Sequence, residues 1–310
     1  MKTGFNISKY GTQGVADRTA YLRHMEQRMV RMVGESGVLG RWMETLFPVE
    51  QVAYVWALYR VGALSDGRTV FFYVTREGYT VDAKVMAYGP NGHRIKDDNR
   101  LSDLQTCRLS DKSIDCQTAD SQTADKSIDC QTADSQTADN TTASEPFPKH
   151  SSASLDSLKV CQSKKDSLKV CQSKNVSWLH ALDRLERPLA LPLFGEHLAD
   201  TLPFAPLCLV ESEKTALVAK LWRPDCTWLA TGGKSCLTAE RLRVLSGRSV
   251  TVWPDADAIG EWMEAAATLG PALDIGFRFP AAYLNRIREG PPKGDLADLI
   301  VATKTTKNST

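Results

Sequence analysis

The sequence predicts an α/β protein whose carboxy-terminal third is a parallel-sheet domain, preceded by a small α+β domain and a long polar insert. Three observations carry this prediction. Short apolar runs alternate with helical stretches after residue 204, the hydrophobic period changes from helical to alternating before residue 100, and polar repeats lie between. We therefore expect regions at 1–34, 35–100, 101–176, 177–203, 204–302 and 303–310.

The amino-terminal region, 1–34, contains one predicted amphipathic helix. Between Val15 and Val33, an apolar stripe recurs at helical spacing and is separated by Arg and Glu. Its members are Leu22, Met25, Met29 and Met32. Such a stripe is more often part of a core than a binding surface.

Residues 35–100 are predicted to form the α+β unit. Two helices, Val38–Leu46 and Pro48–Tyr59, precede strands at Thr69–Val74 and Tyr79–Tyr88. Gly89–Gly92 is a strong turn signal at the far end of this hairpin. After the insert, residues 177–203 are expected to complete the same unit.

The insert, 101–176, is predicted to be disordered. Residues 111–124 recur without change at 125–138, and 156–164 recur at 166–174. Two copies of a short polar unit cannot build a repeat core, and so few large apolar side chains cannot offset the entropy of ordering the chain. The tail at 303–310 is also expected to be disordered.

The carboxy-terminal region, 204–302, alternates strand and helix as a parallel sheet does. Predicted strands are Leu207–Val210, Thr227–Ala230, Val250–Trp253 and Leu273–Phe277; predicted helices are Glu213–Trp222, Ala239–Leu245 and Ile259–Leu269. Ligands of such sheets bind beyond the carboxyl ends of the strands. Any site is therefore expected at that edge.

Three acids stand at this predicted edge. Glu211 follows the first strand directly, and Asp255 and Asp257 lie just past the third. Carboxylates held together repel one another unless they are protonated or bridged, and oxygen ligands suit Mg²⁺ or Mn²⁺. The alternative is that these acids are helix caps and turn residues, and on residue type alone both interpretations stay open.

Three motifs in this region resemble those of TOPRIM domains, the catalytic module of bacterial primases and topoisomerases. They are Val210–Ala216 for the glutamate turn, Ala230–Lys234 for the glycine turn, and Asp255–Gly260 for D-x-D-x-x-G. The resemblance implies a TOPRIM fold with Glu211, Asp255 and Asp257 as catalytic metal ligands. Lys293–Asp295 is similar to the later acidic motif, which implies Asp295 as a further ligand.

The same resemblance assigns roles to other residues of the two turns. It implies that Gly232, Gly233 and Gly260 are structural, and that Lys214 and Lys234 contact nucleic acid. Two departures bear on catalysis. Thr215 stands where the primase turn has another aspartate, and the second aspartate of the later motif is displaced to Asp298.

The resemblance extends upstream to the primase core. The hairpin carries basic residues and is followed, after the insert, by Leu193-Phe194-Gly195, in the order that primases show. Residues 38–300 are similar to primase-like TOPRIM proteins of Bacteroidetes genomes and their mobile elements. This implies that Lys84, Arg94 and Lys96 line a template groove; a solvated hairpin face is the alternative.

Together these observations predict a primase-like TOPRIM protein that uses Mg²⁺ or Mn²⁺ for nucleotidyl or phosphoryl transfer on single-stranded DNA. The alternative is a degenerate TOPRIM adaptor that binds nucleic acid without catalysis. Expected partners are single-stranded DNA or RNA, nucleotides, and a helicase or another replication protein. A net charge of +1 requires any nucleic-acid surface to be a local patch.

Several other classes fit the sequence less well. The eight cysteines contain no C-x2-C pair, so zinc is not expected. A dehalogenase-type phosphatase would have D-x-D after its first strand, and a topoisomerase would need a strand-passage region. No apolar run reaches the ~18 residues that a membrane helix needs, so we expect a cytoplasmic protein without a membrane partner.

Overall fold

The described residues form two four-stranded sheets, one antiparallel and one parallel, with helices packed on them. A computed structural model describes residues 15–95, 176–201 and 204–307. The predicted insert, apart from Val176, lies outside the described residues, as does Lys96. The predictions made for that segment therefore stay predictions.

The antiparallel sheet is built from the hairpin region and one strand beyond the insert. Its strands, in spatial order, are β1 (Val61–Ala63), β2 (Thr69–Val74), β3 (Thr80–Met86) and β4 (Ser177–Trp178). The accompanying helices are α1 (Val15–Met32), α2 (Val38–Glu44), α3 (Val49–Leu58) and α4 (Leu179–Leu182). Strand β2 has the bounds that the sequence predicts, and β4, which follows the insert, pairs antiparallel with β3.

Helices and the second sheet cover both faces of the antiparallel sheet. The predicted stripe of α1, including Met25 and Met29, packs against the β2 side chains Val70 and Phe72. The prediction that this stripe is core is therefore confirmed. On the opposite face, Phe71 and its neighbours enter a core that is shared with the parallel sheet. Every residue of β3 is consequently buried.

The parallel sheet has the order β6-β5-β7-β8, and each neighbouring pair is parallel. Its strands are β5 (Leu207–Val210), β6 (Thr227–Ala230), β7 (Ser249–Trp253) and β8 (Gly276–Arg278). Its helices are α5 (Glu213–Trp222), α6 (Ala239–Leu242), α7 (Ile259–Leu273), α8 (Ala281–Arg288) and α9 (Leu296–Lys307). The predicted parallel α/β architecture is confirmed.

Alternate residues of the parallel strands enter two different cores. Cys208 and Val210 face the core that contains α5 and α9, whereas Leu207 and Leu209 face the one that contains Trp262 of α7. The chain crosses from β6 past β5 to β7, so the connections diverge between β5 and β7. In parallel sheets this switch point opens a crevice at the carboxyl ends of the strands.

Several boundaries differ from the prediction, and at two of them a helix runs past its predicted end. The predicted strand at Leu273–Phe277 begins later, because α7 runs through Leu273 and ends at Asp274, which takes a left-handed conformation with φ 55°. Helix α9 continues to Lys307, past the predicted start of an unstructured tail at 303. In α7 the apolar pattern continues to Leu273, past the Gly270-Pro271 stop signal, whereas residues 303–307 of α9 contain no apolar residue that could have indicated a helix.

Short 3₁₀ turns lie at Glu196–Leu198, Lys234–Cys236 and Arg243–Leu245, the last of which ends the helix predicted at Ala239–Leu245. In the part of the chain that the structure describes, no helix is long and apolar enough to cross a membrane.

Candidate functional site

Glu211 and Asp255 lie at the same edge of the parallel sheet. Strands β5 and β7 are direct neighbours, and their last residues, Val210 and Trp253, are paired in register. Glu211 follows Val210, and Asp255 stands two residues after Trp253. We call this pair of acids and its immediate surroundings the acidic rim.

Glu211 holds a carboxylate oxygen that its surroundings leave unsatisfied. Its Oε2 is buried and has no hydrogen-bond partner. Burial raises the pKa of this carboxyl group, and the charge of Asp257 raises it further; a hydrogen bond from the Lys234 backbone and the charges of Lys234 and Lys84 oppose the shift. A free glutamate in water is ionised at neutral pH. The surroundings of Glu211 disfavour this ionised form.

Asp255 is more strongly perturbed. Its Oδ1 is also buried without a hydrogen-bond partner. Burial, followed by the charges of Glu211, Asp295, Asp257 and Asp298, raises the pKa of Asp255 to about 9. At neutral pH this carboxyl group either keeps a proton or needs a cation that replaces it.

The capping alternative does not describe these two acids. Ser212 is the N-cap of α5, and its Oγ accepts a hydrogen bond from the Thr215 backbone at 3.1 Å. Helix α7 has Ala258 as its N-cap and no side-chain capping bond. Neither Glu211 nor Asp255 therefore satisfies a helix terminus with its side chain.

Asp257 and Lys234 lie on the outer side of the rim. Asp257 is exposed, and its backbone oxygen accepts a 2.6 Å hydrogen bond from Lys234 Nζ. Lys234 also pairs with Glu261 at 2.8 Å. The lysine predicted to contact nucleic acid is thus held at the rim but already has an acidic partner.

Asp295 differs from the two rim acids because its oxygens are satisfied. Its Oδ1 accepts from the Asp298 backbone at 2.8 Å, and its Oδ2 accepts from Thr215 Oγ1 at 3.0 Å. Asp298 accepts the Asp295 backbone N–H in return at 3.1 Å. This reciprocal bonding caps the start of α9, and Lys214 Nζ lies 3.9 Å from Asp295.

The predicted ligand set does not form a closed metal cage. Within the described ranges, no group of three or more Asp, Glu, His or Cys side chains is arranged so that it could hold a metal ion. The structure brings Glu211 and Asp255 together, leaves Asp257 exposed beside them, and commits Asp295 to a cap. At the acidic rim, one carboxylate oxygen of Glu211 and one of Asp255 therefore have no hydrogen-bond partner.

Of the three predicted structural glycines, Gly232 is the one that a larger residue could least replace. Its φ is 82°, and a Cβ there would collide with the Tyr73 hydroxyl. Its N–H donates to the Glu211 backbone oxygen at 2.8 Å, so the glycine turn is tied to the rim. Gly233 is extended, with φ 162°, and a Cβ on Gly260 would meet open space.

Lys84 does not line an open groove. Its Nζ lies 3.0 Å from Glu213 Oε1 and donates to the Gly232 carbonyl at 2.8 Å, and its side chain is only 10% exposed. Tyr73 donates its hydroxyl hydrogen to the same glutamate. This buried cluster links the antiparallel sheet to the glycine turn, which the sequence could not show because Lys84 and Glu213 are 129 residues apart.

Arg94, in contrast, is exposed beside the acids. Burial is the main reason that the pKa of Tyr88 is raised. The charges of Glu213 and Asp295 raise this pKa further, and the charge of Arg94 lowers it. Arg94, Glu213 and Asp295 therefore all lie within electrostatic range of the Tyr88 hydroxyl. The structure supports this residue, rather than Lys84, as a cation available to a ligand.

The loop that carries Arg94 packs on the same support as Lys214. Gly92 has a φ of 72°, and a Cβ there would enter the ring of Trp42. Lys214 Nζ lies 5.9 Å from the centre of that ring. Arg94, Lys214 and Trp42 thus form a basic patch, which we name the basic shoulder, next to Asp295.

Comparison with known proteins adds one family match. Residues 147–256 match the model of a domain of unknown function (DUF6371). The matched stretch, about a third of the chain, contains β5, the glycine turn and β7 and ends one residue after Asp255. No curated protein matches the chain. The chain is thus similar over this stretch to a domain whose description states no activity.

Proposed function

We propose that the acidic rim binds Mg²⁺ or Mn²⁺ through Glu211 and Asp255, and that the protein acts on nucleic acid as a primase-like TOPRIM protein. One observation carries this proposal: neighbouring parallel strands deliver two buried carboxylate oxygens, and neither has a hydrogen-bond partner. Buried polar atoms are normally satisfied, and exceptions need an explanation such as a bound ion.

The residues of the rim fit a hard divalent cation. Mg²⁺ is commonly held by one or two carboxylates, with waters and substrate phosphates completing its shell. Glu211 and Asp255 supply two such oxygens, and the raised pKa of Asp255 reflects a charge that the protein alone does not compensate. When bound, the metal would polarise a phosphoryl oxygen and orient an attacking hydroxyl group.

Neighbouring residues support a polyanionic ligand. In the basic shoulder, Lys214 is paired with Asp295, whereas Arg94 is exposed and can neutralise a phosphate of a nucleic-acid strand. Lys84 and Glu213 fix the glycine turn whose backbone contacts Glu211. The chain's own residues therefore bind and position the phosphates. They also leave one oxygen of each rim acid without a hydrogen-bond donor.

A specific observation favours the adaptor as the second candidate. Thr215 occupies the position of an acid in the primase turn, and it donates to Asp295, which the α9 cap already engages. A site that retains two acids can bind a metal and a phosphate yet lack the groups that activate the attacking hydroxyl. This adaptor would bind nucleic acid in a metal-dependent way without extending it.

Magnesium-dependent incorporation of labelled ribonucleotides on a single-stranded template tests the proposal. We expect incorporation by the native protein and a loss of at least about tenfold in Asp255→Asn. Asp274→Asn is the matched control, because Asp274 is exposed and Asn tolerates its left-handed backbone. Metal-dependent strand binding without incorporation would establish the adaptor, and absence of both would contradict a metal site.

A further inference from the structure

An aromatic pocket lies directly behind the acidic rim. It encloses about 320 Å³ between the face of β7 and helices α5, α8 and α9. Its walls include Trp222, Trp253, Tyr283, Arg286, Leu296 and Ile300. A largely apolar cavity of this size with a few polar groups is typical of a small-molecule site.

The wall of the pocket is continuous with the rim. Tyr283 Oη donates a 2.7 Å hydrogen bond to the carbonyl of Pro254, the residue before Asp255. Trp253 ends the strand that leads to Asp255, and Leu296 follows Asp295. Residues of the pocket wall are therefore adjacent in sequence to Asp255 and Asp295.

The aromatic rings of the pocket pack edge to face, and the partly exposed indole of Trp222 is the ring on which a planar group can stack. The Trp253 and Tyr283 ring centres are 5.0 Å apart, and those of Trp222 and Trp253 are 6.3 Å apart with perpendicular planes. Trp222 remains 39% exposed. Bases stack on such side chains with little dependence on sequence, because every base has a π face.

The pocket also has a cationic side. Arg286 is exposed on α8 and lines the cavity, opposite in charge to the phosphates that a nucleotide carries. An apolar peptide side chain would use the aromatic wall but neither this cation nor the neighbouring acids. The combination of an exposed indole ring, a cation and adjacent carboxylates favours a nucleotide over a peptide.

We propose that this pocket holds the base of a nucleoside phosphate whose phosphates extend toward the acidic rim. The direction of the phosphates rests on the proposed metal function, whereas the binding of the base does not. The pocket thus adds a nucleotide subsite to the rim and names the substrate class as a nucleoside phosphate.

Calorimetric titration with AMP and ATP, each with and without Mg²⁺, tests this proposal on the full chain. Ala282→Trp fills the cavity from an exposed pocket position, and the neighbouring Ala281→Trp is the matched control, since Ala281 is exposed and does not line the cavity. We expect Ala282→Trp to weaken both nucleotides at least about tenfold and Ala281→Trp to leave them within about twofold.

A surface charge change provides a second pair of variants that leaves the packing intact. Arg286→Ala should weaken ATP by about threefold or more, whereas Arg288→Ala, also exposed on α8 but outside the pocket, should not. Thermal melts of all four variants identify any that fail to fold. In that event the arginine pair alone decides the question.

The arms separate failure of the pocket from failure of the metal site. Metal-free AMP binding that Ala282→Trp removes and Asp255→Asn retains would support the pocket, whatever the rim does. Mg²⁺-dependent ATP binding that is indifferent to Ala282→Trp and Arg286→Ala would overturn it and leave the metal function standing. The pocket proposal would also be overturned if neither nucleotide bound, or if the pocket bound an apolar peptide and no nucleotide.

Discussion

Glu211 and Glu213 lie on either side of Ser212, the N-cap of α5, yet their surroundings are opposite. Glu213 is 1% exposed and is paired with Lys84 and the Tyr73 hydroxyl. Glu211 is also largely enclosed, but one of its oxygens has no partner. A buried charge needs a partner, so the protein itself compensates one glutamate and leaves the other to a ligand or a proton.

The same contrast separates the two aspartates farther along the chain. Asp295 accepts hydrogen bonds from Thr215 and from the Asp298 backbone, whereas Asp255 Oδ1 accepts none. Motif resemblance alone implies the same metal-ligand role for Glu211, Asp255 and Asp295. Hydrogen bonds divide the four acids into a structural pair, Glu213 and Asp295, and a candidate ligand pair, Glu211 and Asp255.

The largest expected effect comes from breaking the compensated pair. Lys84→Met leaves Glu213 buried without its cation, and we expect a loss of about 3–5 kcal/mol in the free energy of unfolding, measured by denaturant titration. The double variant Lys84→Met/Glu213→Leu should recover part of this loss. A cost below about 1 kcal/mol for the single variant, as for an exposed pair, would show that Glu213 is not held by this contact.

Asp255 should make the metal-free protein less stable as pH rises. Because the pKa of Asp255 is raised from 3.8 to about 9, the folded protein keeps a proton that the unfolded chain has lost between these values. The free energy of unfolding therefore falls across that window, by at most about 1.4 kcal/mol per pH unit from this group. Asp255→Asn should remove this contribution.

Urea denaturation in a chelator at pH 5, 7 and 9 measures the difference. The native protein and Asp255→Asn should diverge as pH rises, with the variant the more stable at pH 9. Parallel pH profiles would mean that Asp255 is solvated or paired in the folded state.

The capping acids should behave differently from the ligand pair. Asp298→Ala removes the acceptor of the Asp295 backbone N–H at the start of α9, and we expect a loss of about 1 kcal/mol. The loss should be the same with and without Mg²⁺ in thermal melts. A loss that appears only in the presence of Mg²⁺ would move Asp298 into the metal site.

The smallest expected effect concerns the basic shoulder. If Arg94 neutralises one phosphate, Arg94→Ala should lower the magnitude of the salt slope of single-strand binding by about 0.7. Arg23 is an exposed arginine on α1, which packs on the face of the antiparallel sheet that points away from the parallel sheet. Arg23→Ala should therefore leave the slope unchanged. Equal slopes for the native protein and Arg94→Ala would remove the shoulder from the interface.

The strands of the parallel sheet and the placing of Glu211 and Asp255 at one edge were accessible from the sequence. Local apolar runs located β5, β6 and β7, and parallel topology brings the carboxyl ends of neighbouring strands to one edge. The end of α7 was less accessible, because Pro271 lies inside the helix while Asp274 ends it. A proline usually ends a helix, so Pro271 indicated an earlier end than the structure shows.

The partner of Lys84 could not be read from the sequence. Alternation of Thr80, Asp82 and Lys84 along β3 is typical of a solvated strand face. Instead these side chains are buried, with His180 held against Asp82 and Glu213 held against Lys84. Both partners come from distant segments, so only tertiary packing shows which acids are compensated.

Mg²⁺ titration of thermal stability tests most directly whether the uncompensated pair is a metal site. A hundredfold excess of Mg²⁺ over its dissociation constant should stabilise the native protein by about 2.7 kcal/mol, with no such gain in Glu211→Gln or Asp255→Asn. Asp274→Asn should keep the full gain. If the native protein shows no Mg²⁺ or Mn²⁺ dependence up to tens of millimolar, the rim acids are protonated scaffold residues and the metal site is contradicted.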